Sequence, residues 1–204
     1  MIELLNYGSG NINAFVTLFK KCRIDFKIIE TAHEVNQASR IIFPGVGAFD
    51  PTINNLKAKG LFEALQVFST IRQRPLLGVC VGMQCLFGGS AEGLCSGLGV
   101  IPGRVDAFNQ ALFSQSRPLP HMGWNSISEK FKDDILKGLS LNTGFYFLHG
   151  FHGVCEDKKD ELAECEYGYA FPAIVKRGLT YGVQFHPEKS HQNGEILIAN
   201  FSAL

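Results

Sequence analysis

Pro75-Leu76-Leu77-Gly78-Val79-Cys80-Val81-Gly82-Met83-Gln84 is the stretch whose reading decides the fold. It begins as a short apolar run, the pattern of a strand buried on both faces. Gly-x-Cys-x-Gly follows at once, and the apolar segment Met83 to Phe87 can then start a helix. A strand, a sharp turn carrying one nucleophilic side chain and a helix make a nucleophile elbow, here with a thiol. Glycines two before and two after Cys80 fit, because a Cβ at either would crowd the turn. A helix beginning just after Cys80 directs backbone N–H groups and a positive dipole end at the sulfur, favouring the reactive thiolate. A lone Cys in an apolar run is usually an inert core residue; the paired glycines set Cys80 apart.

Working outward, strands and helices alternate. Ile2 to Leu5 reads as a strand, Asn6 to Asn11 as a glycine-punctuated loop, and Asn11 can cap a helix through Ile12, Phe15, Val16, Leu18 and Phe19. Gly8-Ser9-Gly10 lacks the further glycine or Lys-Ser/Thr of a phosphate cradle and reads as a structural loop. Phe26 to Glu30 and Arg40 to Phe43 read as strands around a short polar helix. Helical spacing returns through Ile53, Leu56, Leu61, Leu65, Phe68 and Ile71 until Pro75 ends it. Such alternation with short links predicts an α/β fold, a parallel sheet covered on both faces. After the elbow, Gly88 to Gly93 is a loop. Strands are then expected at Leu98 to Ile101, Arg104 to Phe108, Phe145 to His149, Glu161 to Tyr167, Ala173 to Lys176 and Leu179 to Gln184. A hairpin turn is expected at Arg177-Gly178 and a closing helix at Asn193 to Leu204. No repeat or linker interrupts the pattern, so residues 1–204 are expected to form one domain.

Composition narrows the function classes. Lys+Arg and Asp+Glu both number 19, a formal net charge of zero, and no basic tract or acidic tail is present. Nucleic acid and membrane surfaces are therefore not expected as partners. No apolar run is long enough to span a bilayer and no signal-peptide pattern opens the chain, so a cytoplasmic location is expected. Cys22, Cys80, Cys85, Cys95, Cys155 and Cys165 show no C-x-x-C pairing and read as free thiols of a reducing compartment.

A cysteine nucleophile needs a base, and the base an orienting acceptor. Tyr181 to Ser190 supplies both: His186 follows an apolar strand, and Glu188 lies two residues on, close enough to fix its tautomer. Pro187 between them stiffens the link. His-x-Glu alone is a weak motif; a thiol elbow and a preceding strand make it a strong one. The turn Pro44-Gly45-Val46-Gly47, after the third strand, can aim N–H groups into a cleft and hold an oxyanion. The commoner use of such a turn is a plain β-to-α link, but ligands of open α/β sheets bind outside strand carboxyl ends. His149, His152, His186 and His191 could instead join Glu188 in a zinc site, although none has helical i, i+4 or finger spacing.

Gly78 to Gln84 together with Tyr181 to Ser190 resembles the class I glutamine amidotransferases. Asn6 to Asn11, Phe43 to Phe49 and Pro120 to Asn125 are similar to the subfamily that serves as glutaminase subunits of imidazole glycerol phosphate synthases, and the likeness runs end to end. The resemblance implies a flavodoxin-like, open, mostly parallel sheet flanked by helices, with a smaller antiparallel portion. It implies hydrolysis of L-glutamine through a thioester on Cys80, with His186 and Glu188 completing a triad and no cofactor or metal. Val81 and the Gly45, Val46, Gly47 loop would hold the oxyanion; in the family this loop can point the wrong way until the partner is loaded. Gln84, Glu92, His149 and Gly150 would bind glutamine. Asn11, Pro120, His121, Met122 and Trp124 would face a (β/α)8-barrel cyclase subunit that consumes the ammonia. The family usually carries Tyr-x-x-His-Ser/Thr-Tyr where this chain has Tyr146-Phe147-Leu148-His149-Gly150-Phe151, losing two hydroxyls. Paralogous subunits that supply ammonia for amidation of cell-surface sugars are a second reading. A Cys-His-Glu peptidase or esterase, which would leave Gln84 and Glu92 without a role, and a non-catalytic docking module are readings of other classes. Trp124, the only tryptophan, suits either an interface or the core.

Overall fold

Short apolar runs punctuated by amphipathic helices build the first half of the chain. The computed structural model describes residues 1–113 and 117–204. It orders that half as β1 (Ile2–Leu5), α1 (Ile12–Cys22), β2 (Phe26–Ile29), α2 (Ala32–Gln37), β3 (Ile41–Gly45), α3 (Phe49–Ala58), α4 (Leu61–Gln66), β4 (Leu76–Cys80) and α5 (Val81–Gln84). The second half is richer in strands: β5 (Gly103–Ala107), β6 (His121–Asn125), β7 (Ser128–Glu129), β8 (Phe145–His149), β9 (Phe151–Cys155), β10 (Glu161–Glu166), β11 (Ala170–Arg177) and β12 (Thr180–Val183), closed by α6 (His191–Ala203).

The main sheet runs β2-β1-β3-β4-β12-β11-β10-β7. Its first five strands are mutually parallel, and the last three join antiparallel. The parallel part has the flavodoxin-like order expected, in which ligands collect outside the strand carboxyl ends. Every residue of β1, β3, β4 and β12 is buried, as continuous apolar strands covered on both faces require. Two small ladders, β5–β9 and β6–β8, stand apart from this sheet.

Some elements differ from expectation. The helical run from Ile53 to Ile71 is broken at Gly60, which takes φ +64, and its last turn, Val67–Ile71, widens to a π-helix. Leu98 to Ile101 is not a strand. Its amides bond instead to the carbonyls of Cys85, Leu86 and Phe87, so it tucks under the end of the elbow, and Gly99 at φ +65 breaks the extended run. The helix after Cys80 is a single turn, which limits its dipole. Asn11 stands at the N-cap of α1, but its side chain makes no capping bond. The hairpin turn lies at Gly178-Leu179, one residue later than expected. β6, β7 and β9 carry no clear strand pattern in the sequence.

What positions the site is close backbone contact. A Cβ on Gly82 would lie 2.2 Å from the Phe43 carbonyl oxygen, and one on Gly45 would lie 2.2 Å from the Gly82 nitrogen. On Gly78 it would meet the Gly82 oxygen at 2.6 Å. The one-turn helix is thus pressed onto β3 and β4 with no room for side chains. Gly82→Ala is expected to cost about 3 kcal/mol, because backbone atoms are the obstruction. Gly150→Ala, with nothing within 4 Å of its added Cβ, is expected to stay within about 0.5 kcal/mol of wild type. Urea unfolding of both variants checks the contrast.

Candidate active site

Cys80 ends β4 at the carboxyl edge of the parallel sheet, level with Gly45 of β3. Its backbone takes φ 53 and ψ −112, a conformation costing of order 1–3 kcal/mol and retained at sites where geometry matters. Cys80 is buried, and its sulfur lies 3.7 Å from the Leu148 carbonyl oxygen and 3.8 Å from Gln184 Nε2. The other five thiols are displaced toward the neutral form, with burial the first cause: Cys155 and Cys165 reach about 12, and Cys22, Cys85 and Cys95 are also raised. All six are unpaired.

β12 pairs in parallel with β4, Val183 against Val79, so the two strands end side by side. The chain leaves β12 through Gln184 and Phe185 to His186. His186 is fixed at its backbone: its N–H donates to the Tyr146 carbonyl at 2.8 Å, and its own carbonyl accepts from Ser190 Oγ at 2.7 Å. Its Nδ1 lies 2.8 Å from Glu188 Oε1, which leaves Nε2 for Cys80. Burial works to lower the His186 pKa, but Cys80 and Glu188 outweigh it and raise it to about 10. The imidazole is thus pushed toward its protonated form, with the Glu188 carboxylate against one nitrogen.

Cys80 and His186 floor a cavity of about 270 Å³, whose walls include Val46, Gly47, Val81, Gln84, Glu92, His149, Gly150 and Lys189. Gln84 Nε2 donates to the Phe151 carbonyl at 3.0 Å and to Gln184 Oε1 at 3.3 Å, so its own oxygen is free to accept from a ligand. Glu92 is held by the Phe49 N–H at the start of α3, 2.9 Å from Oε2. Asp50 in that first turn reaches back to the N–H groups of Leu94 and Cys95 at 2.8 and 3.0 Å. The two carboxylates clamp the glycine loop that carries Glu92. Gly47 takes φ +100, and the Val46 carbonyl accepts from Ser9 Oγ at 3.3 Å, tying the loop after β3 to the loop after β1. Gly45 does not line the cavity: it lies buried in β3 against Gly82, a packing position rather than a donor one. The residues that replace the family's hydroxyls contribute backbone here, since the Phe151 carbonyl serves both Gln84 and His149.

The β6–β8 ladder has two unlike faces. Met122 and Trp124 of β6 lie opposite Leu148 and Tyr146 of β8 and point outward, with Met122 64% and Trp124 50% exposed. Trp124 stacks on His191 at 4.9 Å and meets Tyr146 edge-on at 5.7 Å. Pro120 is exposed and Asn11 half-buried. His121 is the exception among the expected interface residues: strand alternation turns it inward, and it is 2% exposed. Its Nδ1 lies 3.0 Å from His149 Nε2, and His149 Nδ1 lies 2.8 Å from the Phe151 carbonyl. The carbonyl can only accept, so His149 carries a proton on Nδ1; burial disfavours a second, which leaves its Nε2 to accept from His121 Nδ1, while His121 Nε2 faces the Asn125 amide nitrogen at 3.4 Å. No cluster able to hold a metal occurs among the described residues. His149, His152 and His186 spend their ring nitrogens on Phe151, Gly153, Tyr169 and Glu188, and His191 is stacked on Trp124. Sequence reading missed Gln184, because it appears only as the polar end of an apolar strand.

Known proteins resemble this chain along its whole length. The model of the family described as glutamine amidotransferase class-I matches residues 3–203. The chain is 45% identical over 204 residues to the imidazole glycerol phosphate synthase subunit HisH of Leptospira borgpetersenii, with all of both chains covered. It is 43% identical over 204 residues to the protein of the same name from Bdellovibrio bacteriovorus, again with full coverage of both. Among solved structures, a glutamine amidotransferase superposes with a TM-score of 0.74 at 16% identity, covering 100% of this chain and 99% of that one. PurLQS from Thermotoga maritima gives 0.72 at 14% identity, covering 98% and 96%. At such identities the structural likeness speaks for the fold alone.

The neutral histidine pair gives the protein an acid-sensitive point. Burial lowers the His121 pKa to about 4, with Arg117 adding to it, and lowers that of His149 to about 3. Both lie below the value of about 6.5 in an unfolded chain, so the unfolded state binds more protons. Stability is then full above about pH 6.5 and falls as pH drops toward the folded values. The His152 pKa is lowered by burial as well, so the urea midpoint is expected to decline steadily from pH 6.5 to 5, and His121→Asn is expected to make that decline about one third shallower.

Proposed function

The chain belongs to the class I glutamine amidotransferases, and on that premise we propose that it is the glutaminase subunit of an imidazole glycerol phosphate synthase, hydrolysing L-glutamine to L-glutamate and ammonia for histidine biosynthesis. The observation that carries the chemistry is Cys80 at the floor of the cavity, with His186 bonded to Glu188 at 2.8 Å. The cavity, about 270 Å³, falls just below the range of about 300–1,000 Å³ typical of drug-sized ligands. It suits a single amino acid better than an extended peptide, which weighs against a peptidase.

The Cys80 thiolate attacks the side-chain amide carbon of glutamine, and the carbonyl oxygen takes the negative charge. The N–H of Val81, unpaired at the first turn of α5, and an N–H of the Val46–Gly47 loop are the donors available to that oxyanion. His186 gives its proton to the amide nitrogen, and ammonia leaves as the carbonyl re-forms, leaving a glutamyl thioester. Water then loses a proton to His186, attacks the thioester and expels the thiolate with glutamate. Glu188 holds the imidazole in the tautomer that keeps Nε2 toward the sulfur. Glutamine itself meets Gln84 Oε1, Glu92 and the backbone at His149–Gly150.

Ammonia released into water is lost to synthesis, so a synthase partner is part of this reading. Met122, Trp124 and Leu148 form an exposed apolar face with Tyr146, and Leu148 also lines the cavity. A docking face that shares a residue with the cavity supports a heterodimer with a (β/α)8-barrel cyclase, closing over the site from which ammonia leaves. Six unpaired thiols suit the cytoplasm. Full-length likeness to the named synthase subunits favours histidine biosynthesis over amidation of surface sugars.

Cys80→Ala is expected to abolish glutamine-dependent product in the complex while added ammonium still supports it. Loss of both reactions in a properly assembled complex would overturn the assignment to Cys80. Trp124→Ala is expected to weaken cyclase binding at least tenfold by calorimetry. Unchanged affinity would remove this face from the interface.

A further inference from the structure

The nucleophile has a neighbour that the triad does not use. Gln184 is completely buried, one residue beyond β12. Its backbone N–H donates to the Ala173 carbonyl at 2.9 Å, which seats it in the sheet. Its Oε1 accepts from Gln84 Nε2 at 3.3 Å, and its Nε2 faces Cys80 Sγ at 3.8 Å. Gln84 is oriented in turn, because the carbonyl that accepts its other N–H, that of Phe151 at 3.0 Å, can only accept. The chain of bonds runs from the Phe151 carbonyl through Gln84 to Gln184 and ends on the sulfur. Both amides are thereby fixed: reversing Gln184 would set two N–H groups against each other and turn its oxygen toward the sulfur.

The Leu148 carbonyl, 3.7 Å from Sγ, suits a different protonation state. It can accept from a thiol but repels a thiolate, whereas the Gln184 amide suits the thiolate. The sulfur therefore stands between an acceptor that matches its neutral form and a donor that matches its charged form. The bland role for Gln184 is a buried amide that satisfies Gln84 and nothing more. That role accounts for the Oε1 contact and leaves the Nε2 contact without a purpose.

We propose that Gln184 is a catalytic residue of this site, donating a hydrogen bond from its side-chain amide to the Cys80 sulfur once the thiol proton has passed to His186. By its other end it holds the Gln84 amide with Oε1 free for the substrate. Only the identity of that substrate rests on the glutaminase reading; the contact with sulfur stands on its own. The titratable groups around Cys80 are His186 with Glu188 beside it, His149, Glu92 and Lys189 in the cavity wall, and the buried Tyr7 and Cys85.

The test is alkylation of Cys80 by iodoacetamide in the full chain as a function of pH, read on the Cys80 peptide by mass spectrometry. Gln184→Glu keeps the shape and exchanges the donor for an acceptor; Gln184→Met keeps the length without polarity. In either variant the alkylation midpoint is expected to rise by about one pH unit, leaving thiolate about tenfold scarcer at a fixed pH below it. The kcat for glutamine should fall by more than KM changes. An unmoved midpoint in a folded variant overturns the proposal, whether or not the wild type turns over glutamine. A displaced midpoint in a protein that never hydrolyses glutamine supports the proposal and counts against the glutaminase reading alone. If neither variant folds, heteronuclear NMR of the wild type decides. Side-chain amide resonances of Gln184 that shift with the Cys80 midpoint support the proposal, and resonances that ignore it overturn it.

Discussion

The site depends on the contact between the first turn after Cys80 and the strands beneath it. Gly45, Gly78 and Gly82 bring three backbones to distances that a single Cβ would prevent. Gly182 of β12, level with Gly78, has the Met83 side chain against it in the same way. This packing sets the strained turn at Cys80 and stacks β3, β4 and β12 with their carboxyl ends in line. The strain is offset by burial: Leu76, Leu77, Val79, Tyr181 and Val183 are shielded almost completely, and a fully buried side chain of this kind contributes about 1.5–3 kcal/mol. Once β12 lies beside β4, His186 arrives next to the sulfur by chain geometry alone. The triad is a consequence of the sheet order.

The β6–β8 ladder adds a connection that the sheet does not supply. Its outer face carries Met122, Trp124, Tyr146 and Leu148, and its inner face carries His121 and His149. Strand alternation is the cause, since neighbouring residues of one strand must point to opposite sides. His121 bonds to His149, His149 to the Phe151 carbonyl, and that carbonyl to Gln84. A shift of β6 therefore reaches the cavity wall through three hydrogen bonds. A second proton on either ring is disfavoured by burial, which lowers both pKa values.

The sequence made the parallel sheet, the elbow and the triad legible because each has a local signature: continuous apolar strands, glycines at fixed offsets, a histidine after a strand. It failed where structure follows from distant contacts. β6 and β9 contain Gly123 and Gly153 and mix histidines with aromatics, so neither alternation nor composition marks them as strands. Leu98 to Ile101 has strand composition, yet its amides find the Cys85, Leu86 and Phe87 carbonyls first. Gly60 looks tolerable inside a helical pattern and instead ends a helix. Gly45 and His121 belong to motifs legible as functional, but the sheet turns one into packing and the other inward. Gln184 carried no local signal, since its partners lie 100 and 104 positions away.

Charge at the triad follows from the same burial. Glu188 is shut away from water; one oxygen meets His186, and the other, Oε2, has no partner among the described residues. A buried carboxylate of this kind costs several kcal/mol unless a cation stands against it. Lys189, the next residue, does not answer that need, for its ammonium lies over the Tyr146 ring. The protonated His186 is left as the compensating charge, in accord with the direction of its pKa. A positive imidazole favours negative charge on the atom it faces, which is the sulfur. The buried carboxylate thus acts on the nucleophile through the ring between them, and a donor beside the sulfur serves the same end from the other side.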